Sequence, residues 1–263
     1  MRIIYLIFFM TVLVLPFGRL DWGEGQERPS RERIISTFSG KIPQQWGERV
    51  KGVKTKLDTN QRVLALTFDA CGGPKGSGYD AKIMECLERE QISATLFISG
   101  RWIDVNLGIF KKLAQNPLFD IENHGLNHKP CSAIGRSAYG IKGTKSVEEI
   151  FSEIEENALK IQILTGRKPK YYRPGTAFCD EICVEIANWL GYEVVNFSVR
   201  GDAGATYSKR QIKEALRNAP PSSIILMHMN QPEKETAEGF TEALSELKKA
   251  GFRLTKLSEF GLR

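Results

Sequence analysis

The chain carries only three histidines, His124, His128 and His228, and two of them close apolar runs that read as strands. Asp69 closes another such run, Arg173 a fourth, and Asp202 follows a fifth by a few residues. HGLNH, residues 124–128, is the most specific of these signals. A spacing of four across one helical turn can aim both imidazoles at one point, and Gly125 and Pro130 limit any helix here to that turn. Taken singly, each residue has a plainer reading: a hydrogen-bonded structural histidine, a strand-end cap at Asp69, an Arg173–Asp202 ion pair. Taken together, with every histidine used, a shared site is the better account. His124 and His128 would hold a divalent ion, most readily zinc, and leave positions open for water. Such an ion lowers the pKa of bound water toward ~7. A carboxylate can take the water's proton while a second group protonates the leaving group. Asp69 suits the first task and His228 the second, so the chemistry is metal-assisted hydrolysis.

Seven strand patterns alternate with helical ones: RVLALTF, SATLFIS, FDIENH, KYYR, EVVNFSV, SSIILMH and FRLTKL. Between them, segments such as YDAKIMECLERE and SVEEIFSEIEENALKIQIL repeat apolar residues at helical spacing. A further helix is expected from about Asp104 to Gln115, and Ser146 with Glu149 resembles a capping box. Strands alternating with helices imply a parallel sheet with helical crossovers, either open or closed as a barrel. Both place their chemistry at the carboxyl ends of strands, where Asp69, His124, Arg173 and His228 fall. GGPKGSG lacks the glycine order of a dinucleotide fingerprint and the Lys-Ser/Thr ending of a P-loop.

The 263 residues suffice for a sizeable core, and 41% hydrophobic with 26% charged residues is ordinary for a globular protein. The net charge of +6 is spread along the chain, and no basic stripe with interleaved aromatics suggests nucleic acid. Met1-Arg2 precedes about fifteen apolar residues, IIYLIFFMTVLVLPF, which read as an export signal or a membrane anchor over residues 1–18. Residues 19–58 read as a polar N-terminal arm or linker, and 59–263 as the catalytic domain. Five cysteines are an odd number, and Cys86 belongs to a helix's apolar face.

From about residue 60 to 260, signatures in the right order resemble the polysaccharide deacetylases with a NodB-homology domain. TFDA resembles their Thr-Phe-Asp-Asp motif, HGLNH the His-x-x-x-His motif, YYRPG the Arg-Pro motif, and LMH, Leu226 to His228, the Leu-x-His motif. VRGDAGA departs from the usual Asp-Trp pair, with Asp202 the only acid nearby. The resemblance implies a distorted parallel (β/α) barrel, often of seven strands. It implies hydrolysis of N-acetyl groups from the amino sugars of a glycan: peptidoglycan, a chitin-like polymer or poly-N-acetylglucosamine. Asp69 would be the general base, His124 and His128 metal ligands, and His228 the general acid. Arg173 would orient Asp69 and Asp202 would tune His228. Leu226 would line the pocket for the acetyl methyl, and Pro174, Gly175 and Thr176 would border the substrate, a backbone N–H there helping to hold the oxyanion.

The family's second acid is Ala70 here. Asp69 could reach the ion as third ligand, a water could fill the place, or the ion could be lost. A retained ion is favoured, because the two histidines otherwise lack a purpose. The alternatives are a catalytically weak carbohydrate-binding protein on the same fold, and a hydrolase of non-sugar amides. Cys71 and Cys131 would lie on loops at one rim. A disulfide between them is expected over a metal-binding thiolate, since exported thiols tend to oxidise.

Overall fold

A computed structural model describes residues 29–263; the apolar segment 1–18 lies outside them. The described residues begin with α1 (Arg31–Phe38), which Ser30 caps by accepting from the Arg33 N–H. Then follow β1 (Val63–Ala70), α2 (Ala81–Arg89), β2 (Ala94–Ile98), α3 (Gly100–Val105), α4 (Leu107–Gln115) and β3 (Phe119–Asn123). A hairpin of β4 (Ser137–Ala138) and β5 (Ile141–Lys142) precedes the long α5 (Val147–Thr165). The chain continues through β6 (Tyr171–Tyr172), α6 (Glu181–Trp189), β7 (Glu193–Val194), β8 (Val199–Arg200) and α7 (Lys209–Arg217). It ends with β9 (Ser223–His228), α8 (Thr236–Lys249) and β10 (Arg253–Thr255).

The main sheet is parallel, ordered β7-β6-β3-β2-β1-β9-β8, with β10 added to the start of β1. EVVNFSV, expected as one strand, is split. Its first part, β7, pairs with β6, and its last residue, Val199, opens β8, which pairs with β9 at the other end of the order. One short stretch therefore meets both ends of the sheet and curls it into the distorted barrel. The expected helix from Asp104 also divides, at Asn106, whose side chain donates to the Trp102 and Ser77 carbonyls. Ser146 accepts from the Glu149 N–H as a cap should.

Strand periodicity sorts β1 between two cores. Leu64, Leu66, Phe68 and Ala70 pack outward against α2 and α8, among Ile83, Leu87, Phe240 and Leu244. Val63 and Ala65 point into the barrel with Phe97, Tyr171, Ile224 and Leu226. Thr67 and Asp69 continue that inward row, so the strand delivers a carboxylate to the barrel's open end. Residues 29–58, read from sequence as an arm or linker, are built onto the domain. Gly47 bridges to Cys179, Lys54 to Val195 and Lys56 to Ser223, while Ile34 and Phe38 join the core under α5 and α6. Cys131 is disulfide-bonded to Cys183 rather than to Cys71. Backbone pairing of Cys131 with Cys179 and its Phe178 neighbour holds Cys131 against α6, within reach of Cys183. Cys71, Cys86 and Cys179 are free thiols, and Cys86 is buried in the core as expected.

Candidate active site

Asp69 is 3% exposed, and its Oδ1 lies 2.6 Å from Nη1 of Arg173. The guanidinium is fully buried over the Phe97 ring, 4.0 Å from its centroid. Its remaining donors reach Thr67 Oγ1 and the Val195 and Asn196 carbonyls. Every neighbour of Arg173 thus fixes the fork that holds Asp69. Burial alone draws the guanidinium's pKa down, and Asp69 opposes that.

The two histidines of HGLNH do converge, with ring centroids 4.7 Å apart, but not through a helical turn. His124 follows β3 directly, and His128 has a left-handed φ of 56°. His124 Nδ1 lies 2.9 Å from the Arg173 carbonyl, an acceptor that makes this nitrogen the N–H and leaves Nε2 with its lone pair. Burial lowers the pKa of His124, but the Asp69 carboxylate 3.4 Å away, Cys71 and the Arg173 carbonyl together outweigh it, and the net shift is upward. His128, by contrast, is drawn down by burial. Glu153 of α5 clamps the loop around it, accepting from the N–H groups of Asn127 and Lys129. Gly175 presses on the His128 backbone so closely that a Cβ there would overlap the carbonyl.

Cys71 completes the cluster. It is two residues beyond Asp69 and continues the inward row of β1, while Ala70 faces the outer core. Its carbonyl accepts from Ser99 Oγ at 2.7 Å and Arg101 Nε at 2.9 Å, which pins the backbone. Among the described residues, Cys71, His124 and His128 form a group of donor atoms all within 4.8 Å of one another. Burial raises the thiol's pKa, yet His128, with His124 and His228, overrides this and holds it well below the ordinary thiol value. His128 Nδ1 is buried without a hydrogen-bond partner. A thiolate and two imidazoles, one of them with an orphaned buried nitrogen, suit a zinc-type ion. Asp69, a possible third ligand, engages Arg173 through Oδ1, while its Oδ2 lies 3.4 Å from His124 Nε2 beside the donor set.

His228 ends β9. Its Nδ1 lies 2.9 Å from Asp202 Oδ1, and its backbone N–H donates to Oδ2 at 2.7 Å. Asp202 is fully buried and also accepts from Thr236 Oγ1. Burial lowers the His228 pKa, but the Asp202 carboxylate, joined by Cys71, prevails and lifts it well above the ordinary value. A cleft of about 810 Å³ opens over these groups, and Asp69, Cys71, His128, Thr176, Leu226 and His228 all line it. His124, Arg173, Asp202, Pro174 and Gly175 stand behind that lining.

Residues 56–195 match the family model described as polysaccharide deacetylase. The chain belongs to the polysaccharide deacetylase family. A peptidoglycan-N-acetylglucosamine deacetylase of Bacillus cereus is 24% identical over 211 residues, covering 79% of this chain and 92% of that protein. A family 4 carbohydrate esterase of Bacillus subtilis, PdaA, has a similar fold, with a TM-score of 0.66 at 20% identity over 92% of this chain and 96% of that one. So does a family 4 pseudoenzyme of Bacillus anthracis, with a TM-score of 0.64 at 22% identity over 76% of this chain and 66% of that one. The distorted parallel barrel expected from the motifs is therefore the family's fold.

The site also holds residues that the motifs did not reveal. Glu153 and Asn157 occupy the buried face of α5, and polar residues in an apolar stripe were a readable sign of it. Asn157 donates to the Ile98 carbonyl and to Asn123 Oδ1, bracing the strand ends beside His124. Cys71 was signalled by strand alternation from Asp69.

Proposed function

We propose that the protein removes N-acetyl groups from the amino sugars of an exported cell-wall glycan, releasing acetate. The observation that carries this reading is the pairing of Asp69 and His228 on neighbouring strands, beside a buried Cys-His-His donor set, in a cleft wide enough for a sugar. Cys71, His124 and His128 would hold the ion. When bound, it would polarise the amide carbonyl and acidify water.

The chain's own groups supply the proton movements. Asp69, kept in place by Arg173, accepts the attacking water's proton. His228 is bonded to Asp202 through Nδ1, which turns Nε2 toward the cleft, from where it protonates the departing sugar amine. Leu226 offers an apolar wall to the acetyl methyl. Thr176 and Ala177 both adopt left-handed backbone, with φ of 67° and 63°, and shape the turn that borders the cleft after Arg173. Export rests on the apolar N-terminal run and agrees with a glycan outside the cell. An exported location argues against small non-sugar amides as substrates.

The test is acetate release from peptidoglycan and from N-acetylglucosamine oligomers, in the presence of zinc and after chelation. Release that needs the metal and disappears in His128→Ala supports the proposal. A zinc-loaded protein that releases nothing from any of these overturns it; glycan binding without release would then favour a carbohydrate-binding role.

A further inference from the structure

One wall of the cleft is built by segments that take no part in the proton movements. Tyr139 sits at the tip of the β4–β5 hairpin and is 69% exposed, yet it lines the cleft. It and Gly140 both have left-handed backbone, with φ of 50° and 75°, as a two-residue type I′ turn requires. Asn or Gly satisfies such a turn at lower cost than a tyrosine, which is unfavourable at positive φ. The ring stands edge-on to Phe178, with centroids 5.5 Å apart, and Phe178 in turn packs on Trp46. Beside it, Arg200 grips both oxygens of Glu48 at 2.5 Å, and the Tyr139 hydroxyl lies 3.4 Å from Glu48. Trp46 and Glu48 precede the family-matched residues 56–195, so the N-terminal segment helps to form this wall.

We infer that Tyr139, with the Glu48–Arg200 pair, forms a second subsite that binds the neighbouring sugar of the glycan chain. An exposed aromatic ring gives the C–H face of a pyranose a large apolar surface at little entropic cost. The adjoining carboxylate and guanidinium offer acceptors and donors to ring hydroxyls. A volume of about 810 Å³ lies in the upper part of the range of roughly 300–1,000 Å³ usual for ligand sites, leaving room beyond a single ring. This subsite deepens the deacetylase reading and rests on it for the identity of its ligand.

The experiment compares wild type with Tyr139→Asn, Tyr139→Ala and Tyr139→Phe on N-acetylglucosamine oligomers of increasing length. Asn suits the left-handed turn, so Tyr139→Asn should melt no lower than wild type. Wild-type kcat/KM should rise with length. The Asn and Ala variants should lose that rise, by roughly five- to tenfold on the longest oligomers, and match wild type on the shortest; Phe should retain it. Equal effects at every length would overturn the subsite while leaving the activity intact. If wild type releases no acetate, calorimetric binding of the longest oligomer decides. Weaker binding in Tyr139→Asn supports the subsite, and unchanged binding overturns it.

Discussion

Asp69 and His228 are register partners on the adjacent parallel strands β1 and β9, and each is held by a buried group of opposite charge. Arg173 lies 2.6 Å from Asp69, and Asp202 lies 2.9 Å from His228. One strand pairing thus fixes the spacing of a proton acceptor and a proton donor. Because the two clamps come from different elements, they separate the roles of two neighbouring groups.

The His228–Asp202 pair gives the activity an alkaline limit. His228 donates only while protonated, and against the opposing effect of burial Asp202, with a smaller contribution from Cys71, raises its pKa well above the ordinary value. Activity should fall as pH rises through that raised value. Asp202→Asn removes the larger of the two groups that oppose burial, leaving only Cys71, so the alkaline limb of kcat/KM should move down by about a unit or more. A pH–rate profile checks this.

Arg173→Met should be strongly destabilising. It removes the partner of a carboxylate that is 3% exposed, and breaking a buried pair from one side costs about 3–5 kcal/mol. Urea unfolding at neutral pH measures the loss, and the surviving folded fraction should have little deacetylase activity.

The loop bearing His128 depends on a residue that never meets substrate. Glu153→Ala strips the acceptor from the N–H groups of Asn127 and Lys129, at a cost of about 1–3 kcal/mol for each buried donor left without a partner. Zinc affinity should fall roughly 10–100-fold, as on loss of a group that orients a ligand. Competition with a chromogenic chelator would read it without recourse to activity.

Glu122 makes stability depend on pH away from the site. Its buried carboxyl accepts from the N–H groups of Lys170 and Tyr171, yet burial dominates and pushes its pKa up to about 8. The folded state therefore favours the protonated acid. Stability is greatest below the ordinary carboxyl pKa and declines as pH rises to about 8, by at most ~1.4 kcal/mol per unit. Glu122→Gln should flatten that decline in melting experiments between pH 5 and 8.

The barrel was legible because its strands are apolar runs ending in chemistry-bearing residues. Asp69, His124, Arg173 and His228 could be placed at strand ends from pattern alone. EVVNFSV was not legible as two strands, because the break arises from pairing with β6 and β9 at opposite ends of the sheet. The route by which His128 reaches His124 was hidden too, since it depends on a left-handed residue and on the close approach of Gly175. The disulfide was misassigned although Cys71 and His128 do meet at one rim, because Cys131 is drawn to α6 by its pairing with the segment around Cys179. Cys71 could have been identified. Two positions along a strand share a face, so a residue following Asp69 at that interval belongs inside the barrel.

The account depends most on the thiolate of Cys71 acting as a metal ligand beside His124 and His128. Zinc-edge X-ray absorption on the zinc-loaded protein tests it directly. One sulfur scatterer at ~2.3 Å beside nitrogen neighbours, lost in Cys71→Ala, is the expected result. A shell of nitrogen and oxygen alone, unchanged by that substitution, would contradict it.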